Sequence, residues 1–484
     1  MPKVLFTHSY FYRFDPKQWA NKQPYPPYGT IYAAALMRAQ GFEVDLFDTN
    51  LRSAADEILP TIQQQKPDYL VIYDDGFNYL TKMCLTRMRE AAFQMCGYGK
   101  KHNCQVIVCS SDSSDHYDKY LEQGADFVII GEGELTLKEL LFALEAGQTD
   151  FSNMLGIAYK ANGEVKLNAR RPVLRKLDEL PDPAWDLVDI PSYKEIWLKH
   201  QGYFSLNIAT TRGCPYKCNW CAKPIYGNRY NTRSPQRVAD EIERLINDYG
   251  AQHFWVGDDI FGLKPKWVQE FRDVVVEKQL KFQYKIQSRV DLLLKEDTID
   301  ALAASGLKTV WVGAESGSQK ILDAMDKGTK VEQIYEATRL LKAKGVEVGF
   351  FLQFGYLGES LADIRSTIQM LLDLMPHDIG ISVSYPLPGT KFFEKVKSQL
   401  SEKQNWTDSD DLAMMYEGTF KPDFYRRLHR LVHKLFRRKQ GWEQCKQILR
   451  SPGNVNKAQL RSALSTIYYL PAAELDRIRL GKRV

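Results

Sequence analysis

The sequence predicts an α/β protein in three consecutive parts: a doubly wound parallel sheet, a partial barrel of six strand–helix repeats, and a helical tail. Three observations carry that reading. Short apolar runs alternate with helical stretches five times before residue 150 and six times after residue 205. A proline-rich acidic stretch, Leu177-Asp178-Glu179-Leu180-Pro181-Asp182-Pro183-Ala184-Trp185-Asp186, separates the two sets as an extended strap. Beyond residue 400 the strand-like runs cease. The expected parts are 1–150 for the sheet domain, 151–204 for the linker, 205–400 for the barrel and 401–484 for the tail.

In the first part, Val4-Leu5-Phe6, Phe42 to Phe47, Tyr69 to Tyr73, Gln105 to Cys109 and Phe127 to Ile130 read as strands. Pro26-Pro27-Tyr28-Gly29 leads into a helix from Ile31 to Gln40, closed by Gly41. Further helices are expected over Tyr79 to Phe93 and Asp115 to Gln123. A sheet of this kind binds ligands at the carboxyl ends of its strands. The loops there are His8 to Asp15, Asp74 to Asn78, Ser110 to His116, and Gly131-Glu132-Gly133-Glu134. Cys84 shares a helical face with Leu80, Met88 and Ala91, so packing accounts for it; Cys104 and Cys109 bracket a strand at a spacing that matches no metal knuckle. In the linker, Ala161-Asn162-Gly163 turns a hairpin between two short runs.

Composition bounds the function. With 26% charged and 44% hydrophobic residues over 484 positions, the chain has the balance of a soluble globular protein. A net charge of +5 is too mild to imply a nucleic-acid partner. No run of 18 apolar residues predicts a membrane span, and Met1-Pro2-Lys3-Val4-Leu5-Phe6 starts a strand rather than a signal peptide. Eight cysteines in so long a chain make no disulfide framework. The expected location is the cytoplasm.

The second part opens on Leu206 to Thr210, a strand, and then Arg212-Gly213-Cys214-Pro215-Tyr216-Lys217-Cys218-Asn219-Trp220-Cys221-Ala222. A structural zinc site needs four closed ligands, and no second cysteine pair follows. Three soft thiolates on one tight loop suit a four-iron cluster, with one iron left free of protein ligand to hold a substrate or cofactor. Buried structural cysteines are the alternative, but loop thiols flanked by Arg, Lys and Asn have no core to fill.

Cys214-x₃-Cys218-x₂-Cys221, with Trp220 before the last cysteine, resembles the cluster loop of radical S-adenosylmethionine (SAM) enzymes, and residues 1 to 400 resemble their cobalamin-binding branch. The resemblance implies that Cys214, Cys218 and Cys221 hold a 4Fe–4S cluster whose open iron chelates SAM. Further strands are expected at His253 to Val256, Gln283 to Gln287, Thr309 to Val312, Glu347 to Phe354 and Ile379 to Ser384, and chemistry belongs at their carboxyl ends. Polar residues stand there. Gly257-Asp258-Asp259 offers carboxylates to an ammonium group, which the resemblance identifies as that of SAM. Gln287, Ser288 and Arg289 follow, Arg289 suiting the SAM carboxylate; then Gly313, Glu315, Ser316 and Gln353. Taken singly, each also reads as a helix cap or solvated loop.

The run Gly124-Ala125-Asp126-Phe127-Val128-Ile129-Ile130-Gly131-Glu132-Gly133-Glu134 resembles the last strand and loop of the branch's cobalamin domain, as does the helix entry at Pro27 and Gly29. Cobalamin contacts are therefore expected at Tyr10, Pro27, Gly29, Asp75, Ser110, Ser111, Gly131, Glu132 and Gly133. The Asp-x-His-x-x-Gly motif of histidine-ligating corrinoid carriers is absent, so no histidine is expected on cobalt; His116 also reads as a solvated helix-start residue.

In the tail, Phe424, Leu428, Leu431, Val432, Leu435 and Phe436 form a helical stripe opposite Arg426, Arg427, Arg430, Lys434, Arg437, Arg438 and Lys439. This is either a packed helix with a solvated basic face or a peripheral contact with an anionic membrane. The whole implies a cobalamin-dependent radical SAM enzyme acting on a small-molecule or lipid-like substrate. An adenosyl radical would remove hydrogen from an unactivated carbon, methylcobalamin would supply the methyl group, and an electron donor such as flavodoxin or ferredoxin would reduce the cluster. Oxidative cyclisation without methyl transfer, resembling the anaerobic magnesium-protoporphyrin ester cyclase, uses the same cofactors. A non-catalytic corrinoid- or cluster-binding sensor is the alternative of another class, and it needs no SAM-cleavage geometry.

Overall fold

Five short runs become the parallel strands β1 (Lys3–Thr7), β2 (Glu43–Phe47), β3 (Tyr69–Tyr73), β4 (Gln105–Cys109) and β5 (Phe127–Ile129). The computed structural model describes residues 2–83, 85–223, 225–400, 405–450, 455 and 457–480; the expectation for Cys84 lies outside them. Two units are distinguished: Met1–Tyr216 with Ala222–Ile286 and Lys403–Asp411, and Lys217–Cys221 with Gln287–Glu402 and Leu412–Val484.

In the first unit the strand order is β2-β1-β3-β4-β5, extended by the hairpin β6 (Ile157–Ala161) and β7 (Glu164–Leu167). β1 to β5 are parallel, while β6 and β7 pair antiparallel. The order reverses between β1 and β3, and a doubly wound sheet opens a crevice at such a switch point. β3 is buried along its whole length, as a central strand covered on both faces must be. Leu5, Leu70, Ile72, Val106, Val108 and Met95 form the core.

Three stretches differ from the sequence expectation. The helix expected over Tyr79 to Phe93 is interrupted: one turn, Tyr79–Lys82, is capped by the Asn78 side chain, and the long helix is Thr86–Lys101. Leu85 is extended there, and the Thr86 N–H bonds to the Trp406 carbonyl. The helix expected over Asp115 to Gln123 is Tyr117–Glu122, and a separate short helix, Ser111–Asp115, capped reciprocally by Ser110 and Ser113, precedes it and ends at His116. The linker is more than a strap, since its hairpin joins the sheet and Ile190–Gln201 forms a helix capped by Asp189.

The same unit carries β8 (Ser205–Ile208), β9 (Thr211–Arg212), β10 (Asn231–Thr232), β11 (His253–Val256) and most of β12 (Gln283–Ser288). β8, β11 and β12 are parallel neighbours in that order. The helix Pro235–Tyr249 follows the expected grammar: Ser234 accepts from the Arg237 N–H, proline stands in the first turn, and Gly250 ends it in the left-handed conformation.

In the second unit β13 (Leu307–Glu315), β14 (Glu347–Phe354) and β15 (Asp378–Val383) are parallel, with an irregularity between Gly313 and Glu315. Gly349 gives β14 the room its neighbour needs: a Cβ there would stand 2.5 Å from the Trp311 ring, which stacks on Phe351. The tail is two helices, Pro422–Arg450 and Lys457–Arg479. Their close approach requires Gly441, whose absent side chain admits Thr466. Leu428, Leu431, Val432 and Phe436 are buried as the stripe predicts. The basic face is partly spent: Lys434 pairs with Asp476 at 2.7 Å, Arg437 with Asp378 at 3.4 Å, and Lys439 donates to the Leu372 carbonyl. Leu460, Leu464, Ile467, Tyr468, Leu475 and Ile478 form an exposed apolar stripe on the last helix. No helix among the described residues is long and apolar enough to cross a membrane.

Candidate active site

The cysteine loop leaves β8 through Thr210 and is closed at its base by the β9–β10 ribbon, Arg212 opposite Asn231 and Thr211 opposite Thr232. Gly213 has φ +79°, and a Cβ there would lie 2.4 Å from the Arg229 carbonyl, so only glycine makes this turn. Lys223 ties the loop from inside, donating to the carbonyls of Cys214 and Tyr216 and to Asn228. In the second unit, Asn219 is held from several sides: its side chain donates to the Ala324 carbonyl at 2.7 Å and accepts from the Tyr356 hydroxyl at 2.7 Å, its backbone N–H donates to the Met325 carbonyl at 3.0 Å, and its carbonyl accepts from Phe392 N.

Cys214, Cys218 and Cys221 form no disulfide and are partly accessible. Among the described residues no three His, Cys, Asp or Glu side chains are gathered into a closed metal centre. The donor chemistry nevertheless fits a cluster, since these are three soft thiols of one eight-residue stretch, none of them in a disulfide. Positive charge stands beside one of them: Arg289 Nη1 lies 3.9 Å from Cys218 Sγ and also donates to the Lys327 carbonyl at 2.8 Å. Burial would lower Lys327, but Glu315, 2.8 Å away, and Cys218 hold its ammonium above its usual range.

The expected SAM residues divide between the units. In the first, Gly257 packs on Phe77. Asp258 is buried and accepts from Thr210 N at 2.7 Å, Thr211 N at 3.0 Å and the Thr210 hydroxyl. Burial outweighs those bonds and pushes its carboxyl up to about 6. Asp259 pairs with Lys82. Both carboxylates are thus already engaged, Asp258 as the brace of the chain leaving β8.

In the second unit, Gln287 ends β12 half-buried, while Ser288 and Arg289 are buried. Arg289 also pairs with Asp291. Gly313 is fixed by crowding, because a Cβ would stand 2.5 Å from both Glu315 Oε1 and Lys327 Nζ. Glu315 itself is buried with φ +58°, a conformation that costs a non-glycine residue energy and recurs at functional sites. Ser316 bonds Thr367 and the Ser318 N–H. Two members keep unspent polar atoms: Gln353 Oε1 and Trp220 Nε1 are buried without a hydrogen-bond partner. A bound ligand would satisfy them.

The expected cobalamin residues line the carboxyl edge of β1, β3, β4 and β5. Pro27 caps the helix Tyr28–Ala39, and Asp75 accepts from Gly29 N and Phe77 N, each at 3.0 Å. Gly133 serves packing, since a Cβ would stand 2.6 Å from Cys109 Sγ. Ser110 caps the short helix behind it, and Gly131, at φ +85°, donates to Ser114. The hydroxyls of Tyr10 and Ser111 are buried and unpartnered, which fits a bound polar group at this edge.

Glu132 has a different commitment. Arg212 pairs with Glu132 at 2.5 Å and with Glu134 at 2.8 Å, all three side chains nearly inaccessible. The guanidinium also lies 5.3–5.6 Å from the rings of Tyr32, Phe77 and Tyr226. Burial and the neighbouring Glu134 charge raise the Glu132 carboxyl against the pull of Arg212. Sequence reasoning missed the roles of Arg212 and Glu134, and of Lys327; the adjacency of Arg212 to Gly213-Cys214 was the one available signal.

The Radical SAM superfamily pattern matches residues 208–371. The chain carries a radical SAM domain there. It is 28% identical over 389 residues to an uncharacterized methyltransferase, PH0819, of Pyrococcus horikoshii, covering 79% of this chain and 81% of that one. It is 26% identical over 420 residues to the anaerobic magnesium-protoporphyrin IX monomethyl ester cyclase of Rubrivivax gelatinosus, covering 84% and 72%. The radical SAM methyltransferase TsrM of Kitasatospora setae, solved with cobalamin and a [4Fe–4S] cluster, shares the fold with a TM-score of 0.68 at 18% identity, over 82% of this chain and 75% of that one. The expected resemblance to cobalamin-binding radical SAM enzymes holds, as does the expected fold class. A non-catalytic sensor is set aside.

Arg212→Met, which keeps the apolar stem, leaves Glu132 and Glu134 buried without a cation. It should destabilise the protein by roughly 3–5 kcal/mol. Urea unfolding of both proteins measures this, and an unchanged midpoint would show the pair to be dispensable.

Proposed function

We propose that this enzyme is a cobalamin-dependent radical SAM methylase acting on an unactivated carbon of a small molecule. The observation that carries the reading is the trio of thiols at Cys214, Cys218 and Cys221, none in a disulfide, inside the radical SAM domain, with Arg289 and Lys327 beside Cys218. When bound, the cluster, SAM and cobalamin together supply a radical that removes hydrogen from carbon and a methyl group for that carbon. The three cysteines would hold the cluster. Trp220, Gly257, Gln287, Ser288, Arg289, Gly313, Glu315, Ser316 and Gln353 would seat SAM, with Gln353 Oε1 and Trp220 Nε1 still to be satisfied. Asp258 would act through the chain leaving β8 that it braces, and Asp259 through its pair with Lys82. Tyr10 and Ser111 would meet cobalamin.

The name of the Rubrivivax relative favours a second reading, oxidative cyclisation without methyl transfer. Protein reconstituted with iron, sulfide and cobalamin separates the two by its SAM products. S-adenosylhomocysteine formed together with 5′-deoxyadenosine is expected for a methylase; 5′-deoxyadenosine alone would favour the cyclase reading. Cys218→Ala should lose the cluster absorbance and reductive SAM cleavage together, and a variant that still cleaves SAM would remove the cluster assignment.

No protein nitrogen is expected on cobalt. The His8 ring is held by Asp48 at 2.9 Å and by Thr49, and His116 stands half-buried at a helix break. Electron paramagnetic resonance of the cob(II)alamin form should lack axial nitrogen splitting and be unchanged in His116→Ala. A triplet pattern that vanishes in that variant would make His116 a ligand.

An oxygen-labile cluster would need reducing surroundings, which supports a cytoplasmic location and a flavodoxin- or ferredoxin-type electron donor as part of this proposal. Arg426, Arg427 and Arg430 remain exposed on the tail, and we assign them a peripheral contact with anionic membranes. The protein should float with anionic vesicles at low salt and detach at high salt. Changing all three arginines to Gln should abolish flotation; no flotation by the unaltered protein leaves these residues simply solvated.

A further inference from the structure

Strand alternation sorts β8, β11 and β12 into two faces. Leu206, Phe254 and Tyr284 share one register row and Ile208 and Val256 another; all are buried. Phe254 packs on Phe282 and Tyr284 on Phe271, the side of the flanking helices. The opposite face should match it in a simple core sheet, and it does not. It carries Ser205, His253 and Gln283 in one row and Asn207, Trp255 and Lys285 in the next.

Lys285 is the charge on that row. Its ammonium lies 5.1 Å from the centre of the Tyr25 ring and 5.2 Å from that of Trp255. Among the described residues no carboxylate forms an ion pair with it. Burial alone brings it down to about 8. The nearby His253 adds no second charge: its Nδ1 is 2.8 Å from the Ser205 hydroxyl, and burial together with the Lys285 charge lowers it to about 3, leaving it uncharged. Tyr25 is fixed beside Trp255, ring centres 4.9 Å apart, by its hydroxyl on Ser205 at 3.2 Å and by Trp197 at 5.1 Å. Asn207 donates through Nδ2 to the Pro26 carbonyl at 2.9 Å, while its Oδ1 is buried without a partner.

A half-buried cation without an anion and a buried acceptor without a donor both carry a cost. They stand in one row, on a face furnished with flat rings. We propose that Lys285, Asn207 and the Tyr25–Trp255 ring pair form a substrate subsite for a flat small molecule carrying a carboxylate or phosphate next to an N–H or O–H donor. The ammonium takes the anionic oxygens, Asn207 Oδ1 accepts the neighbouring donor, and the rings cover the apolar body. The inference deepens the methylase reading by naming the substrate class, and it rests on that reading for the word substrate.

The reconstituted holoenzyme tests it without turnover. Lysine reactivity toward trace acetic anhydride, read peptide by peptide by mass spectrometry, is compared with and without three probes: indole-2-carboxylate, indole-2-carboxamide and phenyl phosphate. The expected result is slowing of Lys285 acetylation by about tenfold with one or both anions and none with the carboxamide. Protection by indole-2-carboxylate alone identifies a carboxylate substrate, and protection by phenyl phosphate alone identifies a phosphate. Equal protection by the carboxamide, or none by either anion, overturns the subsite. In calorimetry, Lys285→Met should weaken binding of the protecting anion by about tenfold or more with carboxamide binding unchanged, and Lys285→Arg should restore most of it. Equal losses for both ligands would mean only that the fold is disturbed and would also overturn it. Protection that persists in an enzyme forming no methylated product would remove the methylase reading alone.

Discussion

The buried pairing of Arg212 with Glu132 and Glu134 is the constraint on which the first unit's functional edge depends. A guanidinium at full burial is tolerated only where carboxylates and ring faces replace its water. Here both carboxylates come from the loop after β5, and the arginine from the residue before Gly213-Cys214. The start of the cysteine loop and the ligand edge of the seven-stranded sheet are therefore fixed to each other by charge.

Much of the architecture was legible because its causes are local. β1 to β5 are short runs bounded by turn residues, and Ser234-Pro235 and Gly250 bracket a helix as capping chemistry demands. Cys214, Cys218 and Cys221 were legible for the same reason, since ligand spacing within one loop is a property of adjacent residues. What escaped was set by distant partners. The break before Thr86 exists because the Trp406 carbonyl takes its N–H, and nothing near residue 86 announces that. The serines at 110–113 did announce a cap, and were read as an open loop. Lys327 and Lys285 gained their meaning only from register and loop closure, which bring each beside groups far away in sequence.

The SAM candidates illustrate a second limit. Spacing placed Asp258, Asp259, Arg289 and Glu315 at successive strand ends, and they are there. Residue type alone could not say that Asp258 spends its oxygens on Thr210 and Thr211, that Lys82 occupies Asp259, or that Lys327 occupies Glu315. Unspent atoms separate the candidates better than charge does: Gln353 and Trp220, neither of them ionic, are the buried members still lacking a partner.

The last helix governs how this protein behaves as a material. Its bare face, Leu460 to Ile478, is uncharged along most of its length, so the +5 net charge carried by the chain does little to keep two such faces apart. Trimming the helix is no remedy. Its other face shelters Gly441 through Thr466 and neutralises Lys434 through Asp476, so a shortened chain would exchange an oily stripe for an uncovered groove with a stranded cation. Solubility is better sought by polar replacement at Leu464, Ile467 and Leu475, which leaves the sheltering face intact.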